Sequence, residues 1–333
     1  DGRQVEGEVQ GEVLQGLEGQ QGRQGRQVQV DERLFEQRLL EQLGQLQRFL
    51  ERLLQQLLEL AQQLGLRPAA LIVAADPALP AYCTNVVAGR TLAQTRERVA
   101  RVFGAVRERI APGGVLPLGL WLSARAAAQL AETPGGARSL RDELAARGLA
   151  VRTLNAFPYH DFHGASVKRG VYSPNWADTR RLLYTTTLAE LLPELLPAGA
   201  RDASISTLPL GWRPEFALAG GGASLGLASS MLAQLVQHLA RVEERTGVRV
   251  HVDLEPEPGC TLDRAEDAAA FLTQALPRRA GAPDPRRYIG ICHDVCHSAV
   301  MFEEQSHALR IYRDAGVRVG KVQVSSAPVA DGS

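Results

Sequence analysis

The sequence predicts an α/β chain built as most of a (β/α)8 barrel, and three observations point there. After Pro80, short apolar or β-branched runs alternate with amphipathic helical stretches, which is the pattern of βα units on a parallel sheet. The alternation is strict, with seven strand-like runs and six helical patterns between them. The polar clusters fall at the C-terminal ends of the runs, where a barrel gathers its βα loops.

Each element has a local reason. Strands are expected at 80–85, 117–122, 151–157, 203–208, 249–255, 288–294 and 317–324, and helices at 91–110, 124–147, 178–196, 228–246, 263–276 and 303–315. A barrel closes with eight strands over about 250 residues. The expectation is therefore an incomplete barrel over 80–333, truncated at its C-terminus so that the eighth strand is missing. An N-terminal element filling the gap is the other way to close it. The chain lacks an initiator Met, as a fragment or a processed form does.

The segments before Pro80 are different. Residues 1–30 are rich in Gln, Gly, Glu and Arg and hold almost no large apolar side chains, so they are expected to form a disordered, low-complexity tail. Over 31–66, Phe35, Leu39, Leu43, Leu46, Leu50, Leu53, Leu57, Leu60 and Leu64 recur at spacings of three and four. That is the seam of an amphipathic, coiled-coil-like helix, stopped by Gly65 and Pro68. Such a helix would serve self-association or a protein partner, or it is an extension that does no harm.

Composition excludes several function classes. The 333 residues are 45% hydrophobic, enough for a large core, and Lys+Arg and Asp+Glu are both 37, so nothing in the balance favours nucleic acid. No run of about 18 apolar residues occurs and the N-terminus lacks the regions of a signal peptide, so a membrane span is not expected. Four cysteines in a chain of this length do not make a disulfide framework, and a reducing, cytoplasmic setting follows as the expectation. Lys168 and Lys321 are the only lysines.

The candidate chemistry sits at three strand ends. Glu255-Pro256-Glu257-Pro258 stops the fifth strand and holds two carboxylates at the barrel mouth. The sixth strand ends in Asp294 with His297 three residues later, and a helical turn starting at Asp294 would turn both side chains to one side. On the seventh, Lys321 and Gln323 share a face by the period of two, followed by Ser325 and Ser326. Two carboxylates and an imidazole suit a divalent metal: Mn, Zn, Co or Mg. Cys292 and Cys296 invite a zinc-thiolate alternative, against the simpler reading of cysteine as a small buried apolar residue. His293 is expected to pack outward or against the adjoining helix. A second polar concentration runs from Asn155 through His160 and His163 to Lys168 and Arg169. It reads either as a pocket wall for a small polar metabolite or as an ordered loop with Phe157, Tyr159 and Phe162 packed down. Asn85, Ser123 and Ser206 end other strands as further hydrogen-bonding groups.

These residues resemble a known family. Asp294-Val-Cys-His297 is similar to the DxxH element of xylose-isomerase-like sugar epimerases and of zinc-dependent apurinic endonucleases, and Leu254-Glu255-Pro256 looks like their fifth-strand metal glutamate. More narrowly, YCTNV, LSARAA, LNAFPYHDFHG, VYSPNWADTRR, SISTLPLGW, DLEPEPGC, ICHDVCH and GKVQVSSA resemble, in order over 80–330, the metabolite-traffic family called EboE. The wider resemblance implies a metal-dependent sugar isomerase or epimerase-like barrel. In it Glu255 and Asp294 are ligands, His297 a ligand or a substrate contact, and Gln323 stands where related enzymes place a His or Gln. Glu255 and Lys321 are the candidate catalytic groups, and Asn155, His163, Lys168 and Glu257 the candidate substrate contacts. The narrower resemblance implies processing or export of a small metabolite. A non-catalytic barrel that binds a metabolite or protein is the alternative. The eighth-strand glutamate of the epimerases would lie beyond Ser333, and residues 1–66 have no counterpart in the family.

Overall fold

The computed structural model describes residues 80–325, apart from 88, 161–169, 219, 277 and 279. The expected tail over 1–30 and helix over 31–66 lie outside the described residues, as do His163, Lys168 and Arg169. Seven parallel strands pair in sequence order. They are β1 (Tyr82–Cys83), β2 (Leu116–Trp121), β3 (Leu149–Asn155), β4 (Asp202–Thr207), β5 (Arg249–Leu254), β6 (Ile289–Asp294) and β7 (Val319–Gln323). The helices are α1 (Leu92–Ile110), α2 (Ala124–Glu132), α3 (Gly136–Ala145), α4 (Thr179–Leu195), α5 (Arg213–Leu218), α6 (Gly221–Thr246), α7 (Ala265–Gln274), α8 (Pro285–Tyr288), α9 (Val295–Val300) and α10 (Gln305–Asp314).

This is the curled sheet of an incomplete (β/α)8 barrel. Two contacts define the curl. Lys321 Nζ on β7 reaches Ser206 Oγ on β4 at 2.9 Å, and Gln323 Nε2 on β7 reaches Cys83 Sγ on β1 at 3.5 Å. Neither pair of strands is adjacent in the sheet, so both contacts cross its concave face. The convex face is apolar: Leu118, Leu120, Leu154, Ile205, Val250, Val252, Leu254 and Ile291 are all buried, as are Leu188 and Leu192 of α4 and Leu235 and Leu239 of α6. Each such side chain contributes about 1.5–3 kcal/mol over leaving it in water.

All seven expected strands are present, with ends shifted by a few residues. Among the helices, the single stretch expected over 124–147 is two, α2 and α3, because Thr133 to Gly135 breaks it: Gly135 sits at φ +66, where a side chain is strained. The helix expected from 228 begins at Gly221 and is preceded by α5. Its glycine-rich first turn, Gly221-Gly222-Ala223, hides that start from propensity. Helix starts elsewhere follow capping chemistry: Ser123 Oγ accepts from Ala126 N at 3.1 Å and Asp178 Oδ1 from Arg180 N at 2.8 Å.

Register matters most at the end of the sheet. Ile291 pairs with Val319 but Cys292 pairs with Lys321, which leaves Gly320 as an extra residue on β7. Such a bulge re-aims the side chains that follow it. A Cβ on Gly320 would lie 2.2 Å from Asp253 Oδ1 on the concave face, and its neighbour Lys321 also reaches across that face. The extra residue thus puts Lys321 and Gln323 inside, where the alternation through Gly320 alone would have turned them out.

Candidate metal centre

Glu255 follows β5 directly, and its amide continues the ladder by donating to Thr207 O at 2.9 Å. Pro256 then ends the pairing. Asp294 is the last residue of β6 and also the N-cap of α9, with Oδ1 accepting from Cys296 N at 2.8 Å and His297 N at 3.2 Å. That turn is the one expected from the Asp-x-x-His spacing, and it swings His297 back over the strand end. Glu255, Asp294 and His297 each present an atom within 4.8 Å of the others.

The hydrogen bonds prepare these atoms unequally. His297 Nδ1 lies 2.9 Å from Pro256 O. A carbonyl only accepts, so Nδ1 carries the proton and the neutral ring keeps its lone pair on Nε2. Nε2 faces Asp294 Oδ2 at 3.8 Å and Glu257 Oε1 at 4.0 Å. Ser325 Oγ donates to both oxygens of Asp294, at 2.8 and 3.0 Å. Glu255 Oε2 is buried with no hydrogen-bond partner. An orphaned carboxylate oxygen, an aimed imidazole lone pair and a second buried carboxylate fit a divalent cation.

Electrostatics agree. Burial first, and then the like charge of Asp294, pushes the Glu255 carboxyl up to about 7. Burial also raises Glu257 above the usual carboxylate range. For His297 burial opposes the charged form, but Asp294, Glu255, Glu257 and the Pro256 carbonyl outweigh it and raise its pKa. These carboxylates lack enough positive charge around them.

The remaining sequence candidates separate. Glu257 stands beside His297 as above. Gln323 is paired in register with Asp294, and its amide meets Cys83. Lys321 lies deeper, on Ser206; burial works against its charge, but the acidic groups around it, Cys292, Cys83, Glu255 and Asp253, hold its pKa above a lysine's ordinary value. Asn155 Oδ1 is engaged by Phe157 N at 2.9 Å, which makes it a brace of the loop after β3. No cysteine joins the cluster among the described residues: Cys292 is fully buried, and burial holds its thiol well above the ordinary range. His293 packs against α10, with Nε2 2.6 Å from Gln305 Oε1 and its ring edge-on to Tyr312.

Two supporting groups escape a reading by motif. Arg181 on α4 is fully buried and donates to Pro174 O, Ala156 O and Phe157 O at 2.8, 2.6 and 3.1 Å, which fixes the loop leaving β3. Burial lowers its pKa to about 10. Below the site, His251 and Asp253 form a buried pair at 2.9 Å. The sequence signal for it is RVHVDLE, in which a barrel strand places polar residues at every second position.

No helix among the described residues is long and apolar enough to cross a membrane. Neither a protein-family profile nor a curated protein matches the chain. Among solved structures, its neighbours are xylose isomerase-like barrels and sugar epimerase-like proteins. A D-tagatose 3-epimerase-like protein is 14% identical, with TM-score 0.40, over 62% of this chain and 65% of that one. A xylose isomerase-like TIM barrel protein from Mycobacterium smegmatis in complex with magnesium is 16% identical, with TM-score 0.43, over 71% of this chain and 70% of that one. A xylose isomerase domain protein from Planctomyces limnophilus is 15% identical, with TM-score 0.41, over 66% and 67%. Likeness this distant carries no argument about chemistry, and the barrel rests on the strand order and register of the chain itself.

Proposed function

We propose that this barrel holds a divalent cation on Glu255, Asp294 and His297, with Gln323 alongside, and works on a small polar hydroxy-carbonyl metabolite as an isomerase-like protein. The single observation that carries the reading is the orphaned Glu255 Oε2 facing a second buried carboxylate and an imidazole whose proton is fixed on the far nitrogen. The ion, when bound, would supply Lewis acidity to a ligand carbonyl.

The chain's own groups do the rest. Pro256 O and Ser325 Oγ orient His297 and Asp294 before any ligand arrives. Glu257, whose pKa burial raises, contributes a polar edge to the mouth, and Asn155 braces the loop after β3 that borders it. His163 and Lys168 join them on the reading from sequence. Lys321 supplies a positive charge at the floor. The resemblance to the EboE family adds the biological setting, processing or export of a metabolite, and the segment 31–66 adds a means of assembly with itself or a partner.

Titration with Mn, Zn, Co and Mg by calorimetry, repeated on Glu255→Gln and Asp294→Asn, tests the metal. At a hundredfold excess over Kd, a cation that binds only the native state stabilises it by about 2.7 kcal/mol, and both substitutions should abolish that gain. Absence of binding by all four ions defeats the proposal. Exchange of the carbon-bound protons of dihydroxyacetone and of hydroxypyruvate in D2O, followed by NMR on the metal-loaded protein, then separates an isomerase-like protein from a barrel that only binds.

A further inference from the structure

Lys321 is the one lysine among the described residues, and it stands inside the curl of the sheet. Its ammonium has three donors. One goes to Ser206 Oγ, and among the described residues no carboxylate lies within ion-pair distance of Nζ. The arginines that share the concave face are placed differently: Arg249, for example, pairs with Asp202. The residue as a whole is half-buried.

The bulge at Gly320 is what brings this charge into the barrel, two residues before Gln323 and one strand from Asp294. Glu255 and Asp294 carry two negative charges between them, and a divalent ion cancels both. Glu257 is engaged by Tyr172 and Cys260. With the ion in place, Lys321 Nζ remains one strand from Asp294 with no carboxylate at ion-pair distance among the described residues, Glu255 and Asp253 acting on it only from farther away.

We propose that Lys321 forms an anion subsite beside the metal, so that the ligand of this barrel is a small acid, a 2-hydroxy or 2-oxo carboxylate, and not a neutral sugar. A carboxylate there takes charge-assisted hydrogen bonds from Nζ while its neighbouring oxygen faces the ion. This rests on the metal reading above.

Calorimetry on the Mn-loaded chain tests it with glycolate as the probe, on wild type, Lys321→Met and Lys321→Arg. Loss of the lysine should weaken glycolate about tenfold or more, the arginine should restore most of it, and Mn affinity should stay within about threefold in all three. Glycolate bound equally well by wild type and Lys321→Met overturns the subsite and leaves the metal site standing. Failure of wild type to bind Mn removes both. Should Lys321→Met not fold, Lys321→Gln takes its place: glycolate weakened about tenfold at unchanged Mn affinity supports the subsite, and equal affinity overturns it.

Discussion

Two acidic clusters share the inner side of this sheet, and they differ in how their charge is met. The lower one holds Asp202 and Asp253. Asp253 is 0% exposed and meets His251 Nδ1 at 2.9 Å, while Asp202 is paired with Arg249 and lies 3.5 Å from His251 Nε2. Burial would raise Asp202, but hydrogen bonding from Arg249, with the charge of His251 and Arg318, brings it below its ordinary value. Gly290 and Gly320 leave the room for the Asp253 carboxylate, since a Cβ on either would lie 2.6 or 2.2 Å from its Oδ1. The upper cluster, Glu255 and Asp294, is nearly as buried as Asp253, at 7% and 4%; Glu255 Oε2, like Asp253 Oδ2, accepts no hydrogen bond, but among the described residues Glu255 also has no arginine, lysine or histidine at ion-pair distance. One set of carboxylates is thus matched by cations of the chain itself, and Glu255 in the other is not, which is the difference that the proposed cation would remove.

The largest effect should come from breaking the compensated cluster. His251→Ala leaves Asp253 as a buried charge without its partner, and the cost should be about 3–5 kcal/mol in urea unfolding. A loss under about 1 kcal/mol would mean that Arg318 or trapped water neutralises Asp253 equally well, and the contrast between the clusters would fall. Asp253→Asn in the same background should recover part of the loss, because the charge and not the cavity is the main penalty.

The open cluster should respond with the reverse sign. The folded-state pKa of Glu255 is about 7 against an ordinary 4.5, so between those values the folded chain binds more protons than the unfolded one. Metal-free stability therefore falls as pH rises from about 4.5 to 7 and is level above that, with a total on the order of 3 kcal/mol. Glu255→Gln removes the penalty. In EDTA it should be more stable than wild type at pH 8 and nearly equal to it at pH 4.5, as read by unfolding at both values. A variant less stable than wild type at pH 8 would show that Glu255 is already satisfied within the chain.

How much of this could be read beforehand follows from what sequence periodicity encodes. Strand ends and the three candidate ligands were legible because Glu255-Pro256 and Asp294-x-x-His297 are local signals, and alternation fixes which side chains share a face. The bulge was not, because Gly320 is an extra residue only relative to the register of β6. Nor was the open state of the upper cluster, which depends on where Pro256 O and Ser325 Oγ arrive from other elements. Arg181 hid for the same reason: its three acceptors are backbone carbonyls, which carry no residue identity. Alternation puts Lys321 and Gln323 on one face, and it is the bulge that turns that face inward.

The smallest effect sharpens the contrast within one residue. Asp294 both caps α9, through Oδ1 to Cys296 N and His297 N, and faces His297 through Oδ2. Asparagine retains a cap oxygen but not the charge, whereas alanine loses both. Asp294→Ala should cost about 1 kcal/mol more than Asp294→Asn in metal-free unfolding, the usual worth of an N-cap. Mn should add nothing to either, since neither keeps the second carboxylate, and the difference between them should persist. Metal-dependent stabilisation surviving in Asp294→Asn would mean that the residue serves the turn alone, and that His297, not Asp294, is the group the strand end was built to present.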